Sequence, residues 1–243
     1  MHNAEFIAAA IDHTLLKAEA TEKQILRLVA EAVRWRFAAV CINPRWVKLA
    51  SRELAKRQRD IISPAHGAVH NRRAVVVCAC VGFPLGASTI AIKAAEAAQC
   101  VADGAMEIDM VAALGPLLMG DEAQVQRDIR AVVRAAQREN PGAKIKVILE
   151  TAVLNPRQIA LGCRAAWQAQ AHYVKTSTGF HPAGGATLAD VALLKKHSHG
   201  LRVKAAGGIR DLATAQAMLA AGADRLGCSA GVAIMREAAA LAL

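Results

Sequence analysis

The feature that most constrains this fold is an alternation running the length of the 243 residues: short, apolar, β-branched runs take turns with segments of helical period. Strand-like runs fall at Ile11–Asp12, Ala38–Ile42, Val75–Val81, Met106–Val111, Ile145–Glu150, Tyr173–Thr176, Leu201–Ala205 and Arg225–Gly227. Helical segments follow at about 21–36, 44–58, 89–102, 122–139, 156–170, 188–198, 212–221 and 230–241. The punctuation agrees. Thr21-Glu-Lys-Gln24 reads as a capping box, Asn155-Pro156 as N-cap and first helical residue, and Asp211 as an N-cap. Ala102-Asp-Gly104 and Ala221-Gly-Ala223 close helices ahead of the next strand. Strict alternation implies parallel strands joined by crossover helices, and eight repeats favour a closed (β/α)8 TIM barrel over an open sheet. With no linker visible, residues 1–243 are expected to form one domain. Asp60–Arg73 is longer than a usual βα connection and is expected to carry a small excursion.

Composition narrows the function classes. The longest uncharged stretch, Ala74–Ile92, is broken by Gly82, Pro84 and Gly86, so it reads as a buried strand entering a loop and not as a membrane span. Glu5 and Asp12 stand near an N-terminus without a basic-then-apolar signal pattern, which predicts a cytoplasmic protein. The net charge of +10 includes clusters at Lys56, Arg57 and Arg59 and at Arg72-Arg73. These are not interleaved with aromatics and match no nucleic-acid motif, so they are read as solvated surface. The overall positive field favours an anionic, phosphorylated substrate. Six cysteines at 41, 78, 80, 100, 163 and 228 follow no disulfide or zinc spacing and are read as reduced, buried thiols. His197-Ser-His199 lacks a further ligand at metal spacing, and no metal is expected there.

In a barrel of this kind the active site lies where the strands end and the βα loops begin, so polar residues in those runs are informative. Lys175 follows Tyr173-Val174, and the two-residue period puts Tyr173 and Lys175 on one face. Lys204 occupies the next strand, and two interior ammonium groups there would compete for one pocket. Burial and a neighbouring cation would then lower the pKa of Lys175 and raise its nucleophilic fraction. The alternative is a pair of strand-end lysines reaching solvent; the Thr-Ser-Thr-Gly run after Lys175 favours the polar pocket. Asp109 shares a face with Glu107 and needs a cationic partner, as either a proton shuttle or a structural ion pair. Lys146 and Glu150 share a face of the fifth strand as a polar layer. Asp12 ends the first strand run, where it would bind a substrate hydroxyl or serve as a cap. Glycines in Ala206-Gly-Gly-Ile209 and Gly227-Cys-Ser-Ala-Gly231, with Ser229 opening the last helix, stand where a barrel of this type holds phosphate.

Seven motifs taken in order closely resemble bacterial deoxyribose-phosphate aldolases. They are Ile11-Asp-His-Thr-Leu-Leu-Lys17, Val40-Cys-Ile-Asn-Pro-Arg-Trp-Val47, Gly82-Phe-Pro-Leu-Gly86, Glu107-Ile-Asp-Met-Val111, Lys146-Val-Ile-Leu-Glu-Thr151, Val174-Lys-Thr-Ser-Thr-Gly-Phe180 and Val203-Lys-Ala-Ala-Gly-Gly-Ile-Arg210. The resemblance implies a metal-independent class I aldolase without cofactor. It would reversibly cleave 2-deoxy-D-ribose 5-phosphate to D-glyceraldehyde 3-phosphate and acetaldehyde, in deoxynucleoside catabolism. By the same resemblance Lys175 is the Schiff-base lysine, Lys204 the lysine that lowers its pKa, and Asp109 the proton relay. Asp12 would lie near the substrate hydroxyl and Cys41 would line the pocket. Gly207, Gly208 and Ser229 would contact phosphate, and Thr178 and Gly179 would belong to the loop beside it. Partners would be small phosphorylated sugars and aldehydes, with no nucleic acid or membrane, and a homodimer or higher homo-oligomer stays open. Three departures stand out. Ala230 replaces a second serine, the Phe180–Gly185 stretch is one residue longer than the usual form, and the ending Leu241-Ala-Leu243 offers no terminal tyrosine.

Overall fold

The computed structural model describes residues 3–62 and 74–241. Eight short strands form the centre: β1 (Ile11–Leu15), β2 (Ala39–Ile42), β3 (Val76–Val81), β4 (Glu107–Val111), β5 (Lys144–Ile148), β6 (Tyr173–Lys175), β7 (Arg202–Ala206) and β8 (Arg225–Cys228). Each pairs in parallel with the next, and β8 returns to β1, closing the barrel. The eight expected crossover helices are α2 (Glu22–Trp35), α3 (Val47–Ile62), α4 (Ile90–Ala102), α6 (Glu122–Glu139), α7 (Pro156–Gln168), α8 (Leu188–His197), α9 (Leu212–Ala220) and α10 (Gly231–Ala240). The capping box at Thr21 and the caps at Asn155 and Asp211 form as the sequence predicts, and Asn155 also closes a capping box with Gln158. The excursion expected in Asp60–Arg73 falls on residues 63–73, which lie outside the described residues, as do Arg72 and Arg73.

Two helices were not anticipated. Ahead of β1, α1 (Ala4–Ala10) is capped by Asn3, whose side chain accepts from Phe6 N at 2.8 Å, and it packs against α10. After β4, α5 (Leu114–Met119) closes at Gly120 in the left-handed conformation (φ 77°). Gly115 and Pro116 argue against a helix here by propensity. Pro116 is nevertheless tolerated, because the first turn has no amide partner to lose.

The outward residues of the strands meet the apolar stripes of the helices. On α6, for example, Val125, Ile129, Val132, Val133 and Ala136 recur at helical spacing and are buried. That layer carries most of the hydrophobic burial, about 1.5–3 kcal/mol for each large aliphatic side chain. The barrel interior is different. Small residues of β2 and β3 (Ala39, Cys41, Cys78, Cys80) pack with Leu16 into a minor apolar cluster, while the remaining strands turn charged groups inward.

One buried ion pair braces the loops above this interior. Lys93 Nζ on α4 donates to Asp128 Oδ2 on α6 at 2.7 Å and to Val111 O at 3.1 Å, and Ala113 N donates to the same carboxylate oxygen. The Lys93 stem runs so close beneath Gly82 (φ 62°) that a Cβ there would lie 2.7 Å from Lys93 Cδ. The β3 loop therefore sits directly on this brace. Among the described residues no helix is long and apolar enough to cross a membrane.

Candidate active site

Strand register brings the predicted lysines together. Lys175 on β6 is the direct partner of Lys204 on β7, and both side chains are buried in the interior. They converge on one atom: Asp109 Oδ2 on β4 accepts from Lys175 Nζ at 2.8 Å and from Lys204 Nζ at 2.7 Å. The other Asp109 oxygen accepts from Lys146 Nζ on β5 at 2.8 Å and from the Cys78 thiol at 3.0 Å. Lys146 also pairs with Glu107 at 2.8 Å and lies 3.6 Å from Asp12. Asp12 takes Lys204 on one oxygen and Arg225 on the other, each at 2.5 Å, and Arg225 returns to Glu107. Four cations thus share three carboxylates in a water-poor interior. Such an arrangement holds only because each charge has partners at hydrogen-bond distance.

The electrostatics correct one expectation. Burial, the largest single influence, and Lys204 both pull the Lys175 pKa down, but the Asp109 carboxylate, joined by Cys41 and Cys80, leaves it above the ordinary lysine value. Lys146 and Lys204 are raised further, burial again being overcome by their carboxylate partners. Asp109 itself is held well below the carboxylate range: burial opposes this, and Lys146, Lys175 and Lys204 prevail. Lys175 is therefore not depressed outright. It is the least tightly held of three lysines, with one carboxylate partner where the others have two or three.

Asp12 also differs from its expected place. β1 continues to Leu15, so Asp12 lies inside the strand and not at its end, and both its oxygens are engaged. Cys41 is buried with Sγ 3.9 Å from Asp109 Oδ2 and 3.8 Å from Cys80 Sγ, beside the carboxylate that both lysines meet. β5 ends at Ile148, and Glu150 turns into the left-handed conformation (φ 56°). It leaves the interior layer of Lys146 and accepts from Thr178 N at 3.1 Å and Thr178 Oγ1 at 2.5 Å. Glu150 thereby anchors the loop that follows Lys175. Within that loop Ser177 Oγ is buried with no hydrogen-bond partner among the described residues.

The glycines meet above this cluster. Gly179 (φ 80°) lies with Gly207 Cα at 3.5 Å from where its Cβ would be. A Cβ on Gly185 would fall 2.4 Å from Gly207 O. The loops after β6 and β7 thus touch backbone to backbone, which only glycine permits, while Gly208 (φ 86°) faces open space. Ser229 is exposed at the end of β8, and the helix opens one residue later than expected, on Ala230 as an uncapped N-cap. These groups surround the mouth of the barrel, and the cation-rich cluster lies beneath them.

Other expectations resolve simply. His199 stacks on Trp167 at 5.1 Å, and neither His197 nor His199 joins a potential metal triad among the described residues. Two interior triads do bring ligand atoms together, Cys41-Cys78-Asp109 and Asp12-Cys78-Glu107. Their carboxylates already face Lys146, Lys175, Lys204 or Arg225, so a metal cation would have to displace those charges. Sequence reasoning missed Arg225 and undervalued Lys146. Each is a charged residue at an inward position of an apolar strand, the same signal that exposed Lys175. Lys93 had no such signal, because a lysine in a helix ordinarily reads as surface.

Comparison with known proteins gives the chain's family. A family profile described as DeoC/LacD family aldolase matches residues 6–239. The deoxyribose-phosphate aldolase of Shouchella clausii is 48% identical over 233 residues, covering 96% of each chain. A crystal structure of a putative deoxyribose-phosphate aldolase from Coccidioides immitis superposes with a TM-score of 0.84 at 38% identity, covering 97% of this chain and 87% of that one. A structure titled as a unique tetrameric deoxyribose phosphate aldolase from Aeropyrum pernix gives 0.85 at 31% identity, covering 98% and 93%. The chain belongs to the DeoC/LacD aldolase family.

Proposed function

We propose that this protein is a class I aldolase that reversibly cleaves 2-deoxy-D-ribose 5-phosphate to D-glyceraldehyde 3-phosphate and acetaldehyde, in deoxynucleoside catabolism. The observation that carries the reading is the convergence of Lys175, at the end of β6, and Lys204, its register partner inside β7, on Asp109 Oδ2. Neutral Lys175 attacks the C1 carbonyl of the open-chain sugar, and the carbinolamine loses water to give an iminium. Loss of the C3 hydroxyl proton then breaks the C2–C3 bond, and its electron pair flows into the iminium as an enamine. Glyceraldehyde 3-phosphate departs; protonation at carbon and hydrolysis release acetaldehyde and free Lys175.

In this scheme Asp109, an ionised acceptor at rest, passes protons between Lys175, Lys204 and the reacting oxygens. Asp12 orients Lys204 and lies on the side where a substrate hydroxyl would approach it. Cys41 lines the small-aldehyde end. Thr178, Gly179, Gly207, Gly208 and Ser229 form the rim that receives phosphate, and the positive end of α10 assists. We assign residues 1–243 to one catalytic domain without a cofactor or metal, as a homodimer or larger homo-oligomer. The six free, buried cysteines suit a reducing cytoplasm. The partners are small phosphorylated sugars and aldehydes, and no nucleic-acid partner is proposed.

Borohydride with acetaldehyde should leave a reduced adduct on Lys175, read by peptide mass mapping. A label elsewhere, or none, overturns the mechanism. Retro-aldol turnover of 2-deoxyribose 5-phosphate should exceed that of the unphosphorylated sugar and persist in EDTA. Cleavage of fructose 1,6-bisphosphate instead would point to another sugar phosphate.

A further inference from the structure

Lys146 is as deeply buried as the two lysines of the proposed mechanism, yet the reaction as written gives it no task. We infer that Lys146 acts as the positioning residue that leaves Lys175 the most weakly held cation of an interior carrying one positive charge in excess. This inference rests on the aldolase reading and assigns a role within the same site.

Among the described residues the connected interior ion pairs join four cations, Lys146, Lys175, Lys204 and Arg225, to three carboxylates, Asp12, Glu107 and Asp109. The difference is one positive charge, and an uncompensated charge in a buried site is costly. Arginine cannot relieve it, because guanidinium does not give up its proton in proteins. The release must come from a lysine. Lys146 lies within 3.6 Å of three carboxylates and Lys204 within 2.7 Å of two, whereas Lys175 has Asp109 alone.

Geometry gives Lys146 its part in that ranking. It occupies Asp109 Oδ1, so Lys175 and Lys204 must share Oδ2. A third ammonium group at the same carboxylate repels the other two, and that repulsion opposes their charged forms. The remaining neighbours do not change the sum. From β2 and β3, Cys41, Cys78 and Cys80 face the cluster; burial holds the Cys78 thiol above its ordinary value, and that of Cys41 is also raised, so neither supplies a compensating anion. From β6, Tyr173 contacts Arg225 and Arg202 through its hydroxyl. At the end of β5, Glu150 is spent on Thr178.

The test varies the charge count and reads Lys175 in two ways. One is the titration midpoint of its ¹³Cε resonance in lysine-labelled protein, assigned with Lys175→Arg. The other is the pH dependence of borohydride trapping with acetaldehyde. Lys146→Met removes the excess charge, so the midpoint should rise by roughly one pH unit and trapping near pH 7 should fall about tenfold, recovering at higher pH. Glu107→Gln adds to the excess and should shift both in the opposite direction. The double variant Lys146→Met/Glu107→Gln restores a difference of one and should return both close to the parent values. A midpoint that does not move in Lys146→Met, or a double variant that stays shifted, overturns the inference. If Lys146→Met does not fold, Glu107→Gln alone decides, and an unmoved midpoint there overturns it. Midpoints that shift as stated while no adduct forms on Lys175 would support the charge role and sink the aldolase mechanism. Trapping on Lys175 with fixed midpoints would do the reverse.

Discussion

Lys175 and Lys204 share a single carboxylate oxygen, so each weakens the other's hold on Asp109. Lys204→Leu removes the cation nearest in register and lets Asp109 grip Lys175 more firmly. The sign follows: with a like charge gone, the Lys175 pKa rises and its neutral fraction falls. Turnover should drop by about tenfold or more near pH 7 and recover in part toward pH 10. A kcat/KM profile lowered by one factor across all pH would mean that Lys204 positions substrate and does not tune the nucleophile. Residues of this kind were legible beforehand, because a lysine or aspartate in an apolar strand departs from pattern, and the two-residue period gives its direction. The net pKa of Lys175 was not legible. It depends on how many ammonium groups reach each Asp109 oxygen, and no spacing in the chain encodes that.

The elements themselves follow local rules closely. The caps of α2, α7 and α9 form where Thr21, Asn155 and Asp211 stand. The start of α10 differs, since Ala230 caps it without a side-chain bond. Ala230→Ser should therefore stabilise the protein by about 1 kcal/mol in urea unfolding. The added hydroxyl should also lower KM for the phosphorylated sugar while leaving the unphosphorylated one unchanged. An equal effect on both sugars would separate Ser229 and Ala230 from phosphate binding. The brace between α4 and α6 gives a second test. Lys93→Met leaves Asp128 buried without its cation and should cost about 3–5 kcal/mol. A loss below about 1 kcal/mol would show that Val111 and Ala113 hold the loops unaided. α1 and α5 escaped sequence reading for a physical reason. Each is under two turns, too short to persist alone, α1 despite its alanines and α5 with Gly115 and Pro116, and each is held by its contacts with α10 or with α6 and α7.

For the whole molecule, the buried charges predict how stability varies with pH. Asp12, Glu107 and Asp109 all lie below the ordinary carboxylate value in the fold, so the unfolded chain binds more protons in acid. Their contribution is complete above about pH 4 to 5 and is lost as the pH falls. His13 and His172, lowered by burial, add a shallower decline below about pH 6.5. Asp128, raised by burial, opposes this acid trend in part, and the raised thiols and lysines act in the alkaline direction. Buried thiols such as Cys78 and Cys163 should begin a loss near about pH 8.5, and Lys146, Lys175 and Lys204 should extend it past about pH 10. Melting temperature should thus be highest between about pH 7 and 8.5 and fall most steeply in acid. A maximum near about pH 5 would contradict these signs.

The sequence by itself determined the barrel, since eight apolar runs alternating with eight amphipathic segments leave parallel strands and crossover helices as the way to bury both. It also set Lys175 with Tyr173 and Asp109 with Glu107 on shared strand faces, because strand periodicity is a local property, while the turn of those faces into the interior came with the closed barrel. Tertiary structure alone decided what those residues meet. Closure of β8 onto β1 brings Arg225 and Asp12 to the lysines, and Glu150 leaves its strand to hold Thr178. Those contacts join residues as much as 213 positions apart. Local patterning cannot specify such pairs, because they exist only once the strands have closed into a ring and excluded water from its centre.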